Sequence, residues 1–157
     1  MSGTTALRRT FLVFSLSALA VGSATFPLPA ADLVRAEINA RVDSMDRMAT
    51  ALKAFLPANL ASASKATLRK NAQEIEKRAA AIPADFPTGS GVGQTNAKPE
   101  IWTNRAAFEA RATALEEEAK ALQKAIDGGD QTAIASEADR VHQACSDCHN
   151  DFRYPLN

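Results

Sequence analysis

Beyond residue 30, apolar side chains recur along the chain in alternating steps of three and four, the spacing that gathers them on one face of a helix. Four stretches carry the pattern. The first reads Ile38, Val42, Met45, Ala49, Leu52, Leu56 and is stopped by Pro57. The second reads Leu68, Ala72, Ile75, Ala79, Ile82 and ends before Pro83. The third reads Phe108, Ala112, Leu115, Ala119, Leu122, Ile126, entered through Pro99 and closed by Gly128-Gly129. The fourth reads Ile134, Ala138, Val141, Cys145, Cys148, Phe152, with Asp130 as N-cap and Pro155 beyond its end. Two of the connections are tight turns. Residues 83–98, which hold Gly89, Gly91 and Gly93, form one longer loop. This arrangement predicts an all-α fold, an antiparallel up-down-up-down four-helix bundle.

The N-terminus follows a different rule. Arg8 and Arg9 precede an apolar run at residues 11–21 and then the small residues Gly22-Ser23-Ala24. That is the order of a secretory signal peptide, expected at residues 1–24, with cleavage as late as residue 31 as the alternative. The apolar run is shorter than the about 20 residues a membrane span requires, so no stable membrane insertion is expected after cleavage. The remaining domain is residues 32–157, delivered to the periplasm. Charge adds little: 18 basic and 18 acidic residues balance, and losing Arg8 and Arg9 leaves a slightly acidic protein. Nothing in that balance points to nucleic acid as a partner.

The chemistry is concentrated in the fourth stretch. Cys145-Ser146-Asp147-Cys148-His149 is a C-x-x-C-H sequence, and its cysteines are the only 2 in the chain. This pattern is the attachment site of haem c: two thioethers from the sulfurs and an axial imidazole from the histidine. On a helix, Cys145, Cys148 and His149 project from one face. A thioredoxin-type dithiol needs a helix N-terminus in a βαβ setting, which an all-α chain does not supply. Zinc held by His142, Cys145, Cys148 and His149 requires four tetrahedral ligands from one continuous helix, which only unwinding would allow. His142 lies about 10 Å up the same helix face and cannot reach the far side of an iron held by His149. It is expected at the surface or at a haem edge. A distal ligand must come from another helix, where Met45 and Met48 are the candidates; core packing is the competing role for Met45, as for Trp102, Phe86 and Phe108. No acid–base pair, nucleophile or substrate pocket stands out, so the chain is not expected to be an enzyme.

Taken together, Val141-x-x-x-Cys145-x-x-Cys148-His149-x-x-Phe152-Arg153, the Ala84-Asp85-Phe86-Pro87-Thr88-Gly89-Ser90 segment and Lys98-Pro99-Glu100-Ile101-Trp102 resemble the cytochrome c′ family, the class II c-type cytochromes. Gly128-Gly129-Asp130 and the Arg41-x-x-x-Met45 step fit the same pattern. His142 departs from it, standing where many members have glycine. The resemblance implies one covalent haem c in a left-handed bundle, often in a homodimer formed through the first helices. It implies that Cys145 and Cys148 anchor the haem, His149 is the proximal ligand, Arg153 stands beside that histidine, Met45 occupies the distal position and Arg41 lies near a propionate. Two activities remain open. A methionine-ligated, low-spin iron transfers single electrons to and from redox partner proteins, the reading favoured here. A five-coordinate, high-spin iron binds NO or CO.

Overall fold

Each of the four stripes folds as a long helix. The computed structural model describes residues 30–155, so the expected leader at 1–24 lies outside the described residues. The long helices are α1 (Ala30–Leu52), α3 (Lys65–Asp85), α5 (Arg105–Gly128) and α6 (Gln131–Phe152). A 3-10 turn at Lys53–Phe55 and the short α2 (Pro57–Leu60) join α1 to α3, and the short α4 (Glu100–Thr103) precedes α5. Among the described residues no helix is long and apolar enough to cross a membrane.

Local chemistry explains most of the boundaries. The Ser64 hydroxyl accepts from the Thr67 amide at the start of α3, and the Asp130 carboxylate accepts from the Thr132 and Ala133 amides at the start of α6. Gly129, with φ of 80°, takes the left-handed conformation that closes α5. Three expectations are corrected. Helix α1 gives way to the 3-10 turn at Lys53, before Pro57, which instead opens α2 at its first turn. Helix α3 runs through Pro83 to Asp85, because a proline in the last turn removes only one backbone hydrogen bond. Nearby, the Arg105 guanidinium donates to the Pro83 and Phe86 carbonyls, satisfying groups the helix end leaves free. The third stripe is not entered directly from Pro99: α4 intervenes, and the chain bends at Asn104 (φ −125°, ψ 55°) before α5 begins.

Packing is antiparallel, with α1 on α3, α3 on α5 and α5 on α6. The Lys65 ammonium reaches the Asp127 carbonyl and Arg69 pairs with Asp127, tying the start of α3 to the end of α5. At the other end of α5, Arg111 pairs with Asp151 of α6 at 2.8 Å. Buried Ala72, Ala79, Ala112, Ala119 and Ala138 let the helix backbones approach, while Leu68, Ile75, Ile82, Leu115, Leu122, Ile126 and Val141 fill the interior.

The fourth seam differs. Helices α1 and α6 are not packed along their length, and α6 instead meets the 3-10 turn and α2 at one end. Helix α1 is correspondingly rotated from the expected seam. Its buried positions are Arg41, Ser44, Met48 and Ala51, and Val42 is 52% exposed. The stripe Ile38, Val42, Met45, Ala49 lines a cavity rather than the core. Periodicity located this face correctly but could not say whether protein covers it.

Candidate functional site

The open seam between α1 and α6 holds two cavities, one of about 760 Å³ and one of about 210 Å³. Both are lined by Met45 and Ala49 of α1 and by Cys148 and His149 of α6. Arg41, Phe86, Phe108, Phe152 and Arg153 are added around the larger one. Cys145, Met48, Leu52, Ile75 and Val141 are added around the smaller. The two volumes share these four residues and are therefore unequal parts of one slot between the helices.

Helical spacing places the motif. Cys145, Cys148 and His149 fall within the last two turns of α6, which ends at Phe152. All three are half-buried. Burial raises the Cys145 thiol above its ordinary range and pushes Cys148 up to about 11. Burial, and then the nearby Arg153 charge, lower the His149 pKa, which favours the neutral imidazole that a metal needs. The Arg153 amide donates to the His149 carbonyl at 3.0 Å, so the arginine begins the turn away from the helix.

Across the slot, the two methionines of α1 separate. Met48 is 6% exposed and belongs to the core, whereas Met45 is half-buried and lines both cavities. Met45 also packs against the core and Met48 also lines the smaller cavity, so the two differ in burial and in contact with the larger cavity. Arg41 lines the larger cavity at 3% exposure. Its Nη1 donates to the Ser90 carbonyl (3.0 Å) and Oγ (3.1 Å), and its Nη2 to Thr95 Oγ1 (2.7 Å). The guanidinium also lies over the rings of Phe86 (4.8 Å) and Trp102 (6.0 Å). Phe86, Phe108 and Phe152 form an edge-to-face chain, with centroids 5.1 and 5.3 Å apart, that floors the larger cavity.

Gly91 serves this wall. A β-carbon there would stand 2.8 Å from the Trp102 ring, whose Nε1 donates to the Pro87 carbonyl. His142 is exposed and touches only the smaller cavity, as expected of a surface or edge residue. Among the described residues no group of three or more His, Cys, Asp or Glu side chains is arranged to hold a metal ion.

The slot fits a tetrapyrrole on three independent counts. It is a largely apolar space of the size that small-molecule cofactors occupy. The two thiols and the imidazole lie along one wall, and a buried cation lies at one end. The bundle also leaves this one seam unpacked. Sequence reasoning gave Ser90 and Thr95 no role of their own and placed Ala49 only on the first helical stripe. The first two belong to a loop without periodicity, and the third looks like any other helix alanine.

Comparison with known proteins agrees. A family profile described as Cytochrome C′ matches residues 36–153. The cytochrome c′ of Pararhodospirillum photometricum is 31% identical over 117 residues, spanning 74% of this chain and 89% of that one. The crystal structure of cytochrome c′ from Thermochromatium tepidum superposes with a TM-score of 0.70 at 27% identity, covering 78% of this chain and 97% of that one. The nitric oxide complex of a variant cytochrome c′ from Alcaligenes xylosoxidans shares the fold with a TM-score of 0.69 at 24% identity, over 78% and 97% of the two chains. The chain thus belongs to the cytochrome c′ family of haem-binding proteins.

Proposed function

We propose that Cys145 and Cys148 carry one haem c as thioethers, with His149 as its proximal ligand and Met45 as its distal ligand, and that the protein transfers single electrons between redox partners in the periplasm. When bound, the haem supplies a one-electron iron couple. The remaining contributions come from the chain. The observation that carries the reading is that Met45 and His149, on opposite helices, border both parts of the same slot. A thioether in that position raises the potential of a histidine-ligated iron. The largely apolar lining and the aromatic floor lower the polarity around the slot, which also favours the less charged, reduced state. Arg153 beside His149, and Arg41 at the end of the slot, supply positive charge with the same effect.

A second reading is binding of NO or CO at an iron held by His149 alone, with Met45 crowding the distal side. The nitric oxide complex of the Alcaligenes protein, which shares this fold, favours keeping it. Spectra of the haem-loaded protein decide between them. Methionine ligation gives sharp low-spin ferrous bands and a long-wavelength sulfur-to-iron band in the ferric state, and Met45→Ala abolishes that band while raising CO affinity about tenfold or more. Broad high-spin bands in the native protein, unaltered by Met45→Ala, would establish the gas-binding reading instead.

A further inference from the structure

The loop between α3 and α4 touches both helices that flank the slot. On the α1 side, Arg41 holds it through the Ser90 carbonyl, Ser90 Oγ and Thr95 Oγ1. Each acceptor is itself fixed. Ser90 Oγ donates to the Pro87 carbonyl at 2.9 Å, and Thr95 Oγ1 also accepts from the Ala97 amide at 3.1 Å. Ser90 is 1% exposed, so this is a buried lock rather than a surface contact.

On the α6 side, the same loop pairs with the residues that follow the haem-motif helix. Ala97 and Arg153 form an antiparallel bridge. The Lys98 amide donates to the Phe152 carbonyl at 3.0 Å, and the Tyr154 amide to the Asn96 carbonyl at 2.8 Å. The Lys98 ammonium adds a bond to the Asn150 carbonyl at 2.8 Å. Thr95 and Ala97 are two residues apart, so the two attachments are nearly continuous. Helices α1 and α6 lack close packing of their own, and at this end the loop supplies the connection between them.

We infer that residues 90–98 form a strap across the α1–α6 seam, in which Ser90 and Thr95 are positioning residues that hold the wall carrying Met45 at a fixed separation from the wall carrying His149. The inference rests on the reading of the slot as a haem site, but it does not depend on which activity the haem serves. A loop bound to one helix alone would leave the seam free to widen. Bound to both, it resists that motion, because opening would break buried hydrogen bonds on one side or a backbone bridge on the other. The Arg41 lock is the attachment open to substitution, since two of its three acceptors are side-chain hydroxyls.

The test uses haem-loaded protein with Thr95→Val, Ser90→Ala and Thr95→Ser. The first two delete a lock hydroxyl while leaving the aromatic floor intact, and the third restores a hydroxyl at residue 95. Two quantities are read at equal haem content: amide hydrogen exchange at Lys98 and Tyr154, and the rate of CO association with the ferrous protein. The strap requires that Thr95→Val and Ser90→Ala each speed exchange at both amides about tenfold, since loosening at Arg41 is then felt at α6. It also requires that CO association rise several-fold, and that Thr95→Ser recover most of both effects. Exchange at Tyr154 within twofold of the native protein in both deletion variants would overturn it, as would unchanged CO association despite faster exchange. If the native protein shows no sulfur ligation, the Met45 assignment fails, while the exchange and CO measurements still decide the strap.

Discussion

Asp85 is a side chain that the fold leaves short of partners. One carboxylate oxygen, Oδ2, is buried without a hydrogen bond near the end of α3. Burial raises its pKa, and the opposing pulls from the Ser44 hydroxyl and Arg78 are smaller. A carboxyl whose pKa is raised on folding binds its proton more tightly in the folded state. Stability therefore falls as pH rises from the ordinary aspartate range, near about 4, through the raised folded value, and stays lower above it. Asp85→Asn should accordingly be more stable than the native protein at pH 7, and the gain should vanish at about pH 3, where both states of the native carboxyl are protonated. Urea midpoints of the two proteins at both pH values check this; a gain that persists undiminished in acid would show that ionisation is not the cause. The same residue scale shows what the sequence could reveal of the site. Cys145, Cys148 and His149 stand out in the sequence because covalent attachment of a haem demands a fixed spacing. The difference between Met45 and Met48 does not, since only the rotation of α1 leaves Met45 half-buried against both cavities while it buries Met48 beside the smaller one. Ser90 stands out only as part of the family-like segment and Thr95 not at all, because their role arises from a contact with Arg41 across 49 and 54 residues of chain.

At the scale of elements, the four long helices follow directly from apolar spacing, and the departures lie at the joints. Pro83 reads as a stop, yet α3 continues past it because a residue of the next long helix completes its end. Arg105 is that residue: it stands in the first turn of α5, donates to the Phe86 carbonyl at 2.8 Å and pairs with Glu109 at 2.7 Å. Its contribution combines satisfaction of helix-end carbonyls with a cation over the Phe108 ring at 5.4 Å. Arg105→Ala should cost about 1–3 kcal/mol, because part-buried carbonyls lose a charged donor. Arg105→Lys should recover only part of that, since an ammonium cannot reproduce the planar fork. At the opposite joint, Asp130→Ala removes the acceptor for two amides and should cost about 1 kcal/mol. Chemical denaturation with an unchanged denaturant slope checks both. An Arg105→Ala protein as stable as the native one would mean that Pro83 is accommodated without help. Such long-range caps are invisible to local rules, which see Pro83 but not the arginine that approaches it from 22 residues away.

For the whole molecule, the bundle divides into a part held by protein contacts and a part that faces the slot. Helices α3, α5 and α6 share continuous packing through Ile75, Leu115, Leu122 and Val141, all buried. Helix α1 packs on α3 with Met48 and Ala51 buried, while Ile38, Val42, Met45 and Ala49 line the larger cavity. Apolar surface stabilises in proportion to the area removed from water, at roughly 25 cal/mol per Å². The cavity face of α1 therefore gains its full stabilisation only when something apolar occupies the slot. Cys145→Ser combined with Cys148→Ser, which blocks attachment, should leave a protein whose α3, α5 and α6 amides remain protected while those of α1 exchange at a much lower opening free energy. In the haem-loaded protein the α1 amides should approach the protection of α5. Hydrogen exchange resolved by helix checks the contrast. If α1 and α5 open together in both forms, then α1 owes its position to α3 alone and the slot is not part of the core. If they separate only when haem is absent, the cofactor completes the fold as the fourth seam of the bundle, and the C-x-x-C-H helix specifies structure as well as chemistry.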